Sequence, residues 1–193
     1  MTPQELKETG QKLLKSGQYA EAMALLKSAA EALPKDETLW QELVMAARDN
    51  GQHEQAVEFA KMGIRHHPRA DWLWRTLGSE LVEVDKLDEA EKALNNSRTL
   101  NSAAPWLWRH FIKLHQRRKN YAKEIEAWEN LRDLGEMSGT DLNCLGIAYN
   151  NHGNYAKAVE FYRQSAAESE DTSALFNMGL VFNHPEVSQD AAY

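Results

Sequence analysis

A period of about 34 residues runs through the chain and limits its fold more than any other feature of the sequence. Shifting the sequence by one period superimposes four columns. The bulky column comprises Leu6, Trp40, Trp74, Trp108 and Leu142. The small or aliphatic column comprises Gly10, Val44, Gly78, Ile112 and Gly146. The alanine column comprises Ala22, Ala56, Ala90, Glu124 and Ala158, and the turn column comprises Gly17, Gly51, Asp85, Lys119 and Gly153. A fixed period of this length indicates a stack of repeated supersecondary units.

Each repeat has the pattern of two helices joined by a turn. In the fifth repeat, Leu142, Leu145 and Tyr149 recur at the spacing of one helical face, and a second amphipathic run starts at Tyr155. Gly153 separates the two runs and allows the left-handed conformation that ends a helix. Good helix formers such as Ala, Leu, Glu and Lys are abundant, whereas β-branched residues are sparse. We therefore predict an all-α chain of antiparallel helix pairs.

These columns resemble the tetratricopeptide repeat, in which a bulky residue, Leu-Gly, Tyr, Ala, an aromatic residue, Ala and Pro recur once per repeat. The fifth repeat matches best, through Leu142, Leu145, Gly146, Tyr149, Gly153, Tyr155 and Ala158. The resemblance covers essentially the whole chain and implies a right-handed α-solenoid of about 5.5 helix-turn-helix repeats. The repeats are expected at residues 3–36, 37–70, 71–104, 105–138 and 139–171, with a partial repeat at 172–193, in a single domain.

The fourth and sixth repeats depart from the pattern. Ile112 and Glu124 replace the expected Gly and Ala, and the stretch at 108–111 also resembles the half-tetratricopeptide repeats of RNA-processing scaffolds. The sixth repeat stops at Tyr193, inside its expected second helix, although a solenoid normally ends in a helix with a polar outer face. We therefore expect this chain to be the N-terminal part of a longer protein.

Several helix starts carry their own signals. Thr2-Pro3-Gln4-Glu5 forms a capping box with proline at the first helical position. Asp36, Asp71 and Asp171 stand where N-caps or first-turn acids are favoured.

Charge is distributed unevenly along the chain. The net charge of -7 argues against a general nucleic-acid binder, because affinity for phosphate backbones comes mainly from Lys and Arg. Residues 92–123 nevertheless carry eight bases and no acids. The part before them has 11 bases and 17 acids, and the part after them has 3 bases and 12 acids. The middle of the chain is thus a basic band between acidic ends.

The sequence offers no pattern for catalysis, a cofactor or a metal site. Cys144 is the single cysteine, which excludes an internal disulfide and favours a reducing cytosol. His66 with His67, and His110 with His115, lack the spacing that places two ligands on one helical face. Neither a signal peptide nor an apolar run of about 18 residues occurs. We expect a cytoplasmic, non-enzymatic protein without a cofactor and without membrane contact.

The resemblance places the first helix of each pair along the concave groove of the solenoid. The groove-facing places are Trp72, Arg75, Ser79 and Val82 in the third repeat, Trp106, Arg109, Lys113 and Gln116 in the fourth, and Thr140, Asn143, Ile147 and Asn150 in the fifth. Two repeats thus present the same pair of Trp and Arg, which are common interface anchors. The predicted partner-binding residues are Trp72, Arg75, Trp106, Arg109, Lys113 and Arg117. Trp74 and Trp108 lie on the packing column and are expected in the core.

A basic groove with aromatic residues suits an acidic segment that carries a bulky side chain. The leading hypothesis is therefore a scaffold that binds a peptide or protein partner in the concave groove. The alternative at these positions is structural: Trp72 and Trp106 pack only on neighbouring helices, and the basic band is solvated surface.

Other functions stay open at this point. The chain is alternatively a targeting module of a larger enzyme or cochaperone whose active domain follows Tyr193, or an RNA-processing scaffold that uses the basic band. Self-association through the last repeat is a further alternative. Some tetratricopeptide domains clamp acidic chaperone C-termini, but only Lys7 matches the residues of that clamp, so we do not predict it.

Overall fold

The computed structural model describes residues 1–168, 172–184 and 187, and within these residues it contains eleven α-helices and no β-strand. The helices are α1 (Pro3–Lys15), α2 (Tyr19–Ala32), α3 (Glu37–Asp49), α4 (His53–His66), α5 (Asp71–Glu83), α6 (Leu87–Leu100), α7 (Pro105–Arg117), α8 (Tyr121–Asp133), α9 (Gly139–Asn151), α10 (Tyr155–Glu168) and α11 (Ser173–Phe182). The all-α prediction is confirmed. None of the described helices is long and apolar enough to cross a membrane.

The chain divides into two compact units, Met1–His110 and Phe111–Tyr193. In the first unit, each helix from α1 to α5 packs against the next one along the chain, so that α1 to α6 form a continuous series. In the second unit, α8 to α11 pack in the same sequential way, and α9 also contacts α11. Consecutive packing of helix pairs is the arrangement of an α-solenoid, as the period predicted. The extension of one solenoid domain over all of residues 1–193 stays a prediction.

The predicted capping signals start the helices in the first unit. The Thr2 hydroxyl accepts a hydrogen bond from the Glu5 backbone N–H at 3.2 Å, and the Glu5 carboxylate accepts one from the Thr2 N–H at 2.8 Å. The Asp36 carboxylate accepts a bond from the Thr38 N–H at 3.2 Å at the start of α3. Asp71 is the first residue of α5 and serves as a first-turn acid, whereas Asp171 lies outside the described residues.

The turn column has one backbone conformation in five successive repeats. The φ angle is +74° at Gly17, +73° at Gly51 and +82° at Gly153, and it stays positive at Asp85 (57°) and Lys119 (51°). This left-handed conformation is easy for glycine but costs other residues about 1–2 kcal/mol. Because Asp85 and Lys119 adopt it nonetheless, we infer that the packing of the helix pair imposes this turn.

The tryptophans of the bulky column tie each repeat to the loop that precedes it. In Trp40, Trp74 and Trp108, the indole N–H donates to the carbonyl oxygen six residues earlier, over 3.0, 2.9 and 2.9 Å. Trp108 is buried, as expected. Trp74 was expected in the core but stays partly exposed, because its ring borders a shallow cleft between α5 and α6.

Candidate functional site

A cavity of about 420 Å³ lies in the first unit, between α3, α5 and α7. Its lining residues are Gln41, Val44, Met45, Arg48, Trp72, Arg75, Thr76, Ser79, Trp106 and His110. All ten belong to the first helices of three successive pairs. We call this cavity the first-helix cavity.

Two tryptophans form the aromatic part of the first-helix cavity. Trp72 is half-buried, and its indole N–H donates to the Glu37 carboxylate at the start of α3. Trp106 lies in the first turn of α7 and is 63% exposed. Tryptophan is among the residues that most often anchor a binding partner. One indole is therefore held in place, and the other is open to a ligand.

The charged groups that line the first-helix cavity are cationic. Arg75 is half-buried, and its Nε atom is buried without a hydrogen-bond partner among the described residues. Arg48 is exposed, and its Nε donates to the Asp49 carboxylate at 3.4 Å. His110 adds an imidazole from α7, and none of the lining residues is an Asp or a Glu. The cavity therefore combines two guanidinium groups with two indoles.

The structure brings together three of the six predicted partner-binding residues, namely Trp72, Arg75 and Trp106. Arg109 is half-buried on α7 and does not line the first-helix cavity. Lys113 and Arg117 are exposed on the part of α7 that belongs to the second unit. Their role in binding stays a prediction.

The residues of α5 that were predicted to face the groove lie in two different environments. Ser79 lines the first-helix cavity, but Val82 is only 1% exposed and lies in the core. At about 100° per residue, Val82 is rotated by about 80° from Trp72 around the helix axis. Thr76 is rotated by only about 40° and lines the cavity instead.

Sequence reasoning missed the contribution of α3. Gln41, Met45 and Arg48 line the first-helix cavity, and they precede Arg75, Ser79 and Val82 by one period of the repeat. The same places read in the second repeat would have found them. His110 was also missed, although it follows Thr76 by one period.

The remaining reactive groups do not form a metal site in the described part of the chain. No group of three or more His, Cys, Asp or Glu residues there could hold a metal ion. Burial, followed by the charges of Asp141 and Glu124, raises the pKa of the Cys144 thiol. A thiol of this kind is a poor nucleophile, because the thiolate is the reactive form.

Comparison with known proteins agrees with this architecture. Residues 13–81 match the family model of the tetratricopeptide repeat. The resemblance to the tetratricopeptide repeat is thus confirmed over these residues. No curated protein matches its sequence significantly.

Solved structures resemble this chain in fold. A crystal structure of MamA has a TM-score of 0.80 at 20% identity, over 89% of this chain and 94% of that chain. A MamA fragment from Desulfovibrio magneticus RS-1 (41-end) has a TM-score of 0.76 at 18% identity, over 86% and 93%. YrrB, described as a TPR protein with an unusual peptide-binding site, has a TM-score of 0.73 at 14% identity, over 89% of each chain.

Proposed function

We propose that this protein is a scaffold that binds a peptide or protein partner through the first-helix cavity. The bound segment carries an acidic residue beside a bulky apolar one. One observation carries the proposal: a single cavity gathers two indoles and two guanidinium groups, and no carboxylate lines it. Such a set of groups serves recognition rather than bond making or breaking, so we propose a binding role without catalysis.

Arg75 supports the acidic part of the proposed ligand. A buried donor without a partner costs about 1–3 kcal/mol, and the Nε of Arg75 is such a donor. A ligand carboxylate would accept this hydrogen bond, and guanidinium and carboxylate groups commonly form two parallel bonds. Arg48 supplies a second cation from α3.

Trp106 supports the bulky part of the proposed ligand. With about 200 Å² of side-chain surface, an indole that is 63% exposed leaves roughly 130 Å² in water. Covering this surface would stabilise a complex by up to about 3 kcal/mol, at about 25 cal/mol per Å². The peptide-binding site named for YrrB, which has the same fold, is consistent with this use of the cavity.

The test is a selection of phage-displayed random dodecapeptides on the immobilised protein at low salt. We expect enriched peptides to place Asp or Glu next to Trp, Phe, Tyr or Leu. Trp106→Ala and Arg75→Glu should each weaken the best synthetic peptide about 30-fold, since an interface anchor contributes about 2 kcal/mol. Fluorescence anisotropy measures the dissociation constants.

A matched control is Arg65→Glu, which reverses an exposed charge in the last turn of α4, outside the first-helix cavity. This control should bind the peptide as the wild type does. Equal binding by all three variants would show that the selected peptides use another surface, and the proposal would then be wrong.

A further inference from the structure

A second cavity of about 220 Å³ adjoins the first-helix cavity in the same unit. It lies among α1, α2 and α3, one helix pair earlier in the chain. Met45 of α3 lines both cavities and is 40% exposed. The two cavities therefore share the flexible Met45 side chain as a wall, and we expect a single extended ligand to reach both. At this volume the second cavity admits one side chain rather than a drug-sized ligand, which needs about 300–1,000 Å³.

The second cavity has the opposite charge to the first. Two carboxylates line it, those of Glu42 and Asp49, together with one cation, Lys15, on its exposed rim. The Asp49 carboxylate accepts the 3.4 Å hydrogen bond from Arg48 Nε. The acid of this ion pair therefore lines the second cavity, and its base lines the first-helix cavity.

Glu42 has an unused hydrogen-bond acceptor. Its Oε1 accepts a bond from the Gln11 side-chain amide at 2.7 Å, which fixes the carboxylate between α1 and α3. Its Oε2 is buried and has no hydrogen-bond partner among the described residues. Buried polar atoms in native structures nearly always have a hydrogen-bond partner. An unpartnered carboxylate oxygen in a residue that lines a cavity therefore favours a ligand that donates a hydrogen bond.

The remaining walls of the second cavity are apolar or aromatic. Leu14, Met45 and Ala46 provide aliphatic surface, and the half-buried Tyr19 provides a ring. The side chains of Lys and Arg combine an apolar stem with a charged head, and both bind favourably beside aromatic faces. A carboxylate at the end of such walls therefore matches a long cationic side chain.

We propose that the second cavity binds a Lys or Arg side chain of the same peptide whose acidic and bulky residues occupy the first-helix cavity. This inference rests on the proposed function for the identity of the ligand as a peptide. It adds a recognition element of opposite charge at a fixed distance from the first. Two subsites of opposite sign would select both the sequence and the direction of the bound segment.

The test repeats the phage selection on the whole protein, on Glu42→Gln and on Glu58→Gln. Glutamine at position 42 retains an acceptor for Gln11 but removes the negative charge. Glu58 is exposed on α4 and serves as the matched control. The wild type and the control should enrich peptides with a Lys or Arg at a constant distance from the acidic and bulky pair. Glu42→Gln should enrich the acidic and bulky pair alone.

Binding of one synthetic peptide and of its Lys-to-norleucine analogue then measures the contact itself. Glu42→Gln should weaken the Lys peptide about tenfold, as expected for one hydrogen bond to a charged group, and should leave the norleucine peptide unchanged. An enriched motif without a basic residue, or an equal tenfold loss for both peptides, would overturn this inference while the proposed function stands. A basic residue enriched without the acidic and bulky pair would support the second cavity and overturn the proposed function. Enrichment of no peptide at all would overturn both.

Discussion

Replacing Gly146 by alanine should destabilise the second unit, although alanine is the better helix former. Gly146 lies inside α9, where an added Cβ would be 2.5 Å from Cε1 and 2.6 Å from Cδ1 of Tyr162. It would also be 3.3 Å from the Ala158 carbonyl oxygen. Carbon atoms that are not bonded prefer separations of about 3.5–4.0 Å. The methyl group would thus push the Tyr162 ring, or α10 as a whole, by about 1 Å.

The size of the effect follows from two opposing terms. Tyr162 is only 1% exposed and its ring is rigid, so the surrounding core has to absorb the shift. Overpacking of this kind costs about 1–3 kcal/mol, and the contact of the methyl group with two ring atoms favours the upper end. Alanine in a helix interior gains about 1 kcal/mol over glycine. We expect Gly146→Ala to lower the free energy of unfolding by about 2 kcal/mol.

Urea unfolding followed by circular dichroism measures this loss, and a second background tests its cause. In Tyr162→Ala the ring is absent, so the added methyl group should be free of the clash. Gly146→Ala should then raise the free energy of unfolding by about 1 kcal/mol, which is a coupling of about 3 kcal/mol between the two positions. An equal loss in both backgrounds would show that contact with the Tyr162 ring is not the cause.

Two further perturbations test polar contacts in the second unit. Burial raises the pKa of Glu124, whose carboxylate accepts bonds from Gln116 and Trp128. When the pKa of a carboxyl group is higher in the folded state than in the unfolded state, the group destabilises the fold. This destabilisation grows as the pH rises from the unfolded-state pKa to the folded-state pKa. Glu124→Gln should therefore raise the urea midpoint of unfolding at pH 7, and the increase in the midpoint should be smaller towards pH 5. An increase that does not depend on pH would contradict this reasoning. Asn143→Ala removes two 3.0 Å bonds to α11: its Oδ1 accepts one from the Asn177 amide, and its Nδ2 donates one to the Ser173 hydroxyl. Their loss should cost about 2 kcal/mol and speed hydrogen exchange in α11; unchanged exchange would contradict this reasoning.

The helices could be predicted because the interactions that define them lie within one repeat. The capping box at Thr2 joins residues three apart, and the glycine turns at Gly17 and Gly51 end helices locally. Asp85 and Lys119 adopt the same left-handed turn although their residue types do not favour it, so local conformational preference alone does not predict these two turns. The period predicted these two turns only because the other repeats supplied the pattern.

The candidate site could be predicted in part. Trp72 and Trp106 stood out because a duplicated Trp and Arg pair fell off the packing column, and both line the first-helix cavity. Val82 was misplaced because an aliphatic side chain at this place of the repeat packs into the core, whereas Arg48 at the same place of α3 lines the first-helix cavity. The exposure of Trp106 and the hydrogen bond that holds Trp72 could not be predicted, because each depends on neighbouring residues in another repeat.

The order of residues is enough to predict that this chain forms helix pairs and where each pair begins and ends. Those properties follow from spacing and from contacts within one repeat. The separation of two oppositely charged cavities by Met45, and the burial of a Glu42 oxygen without a partner, became visible only in the folded chain. Burial and hydrogen bonding of these groups depend on side chains from different helix pairs. The periodic pattern does not predict which of these side chains contact one another.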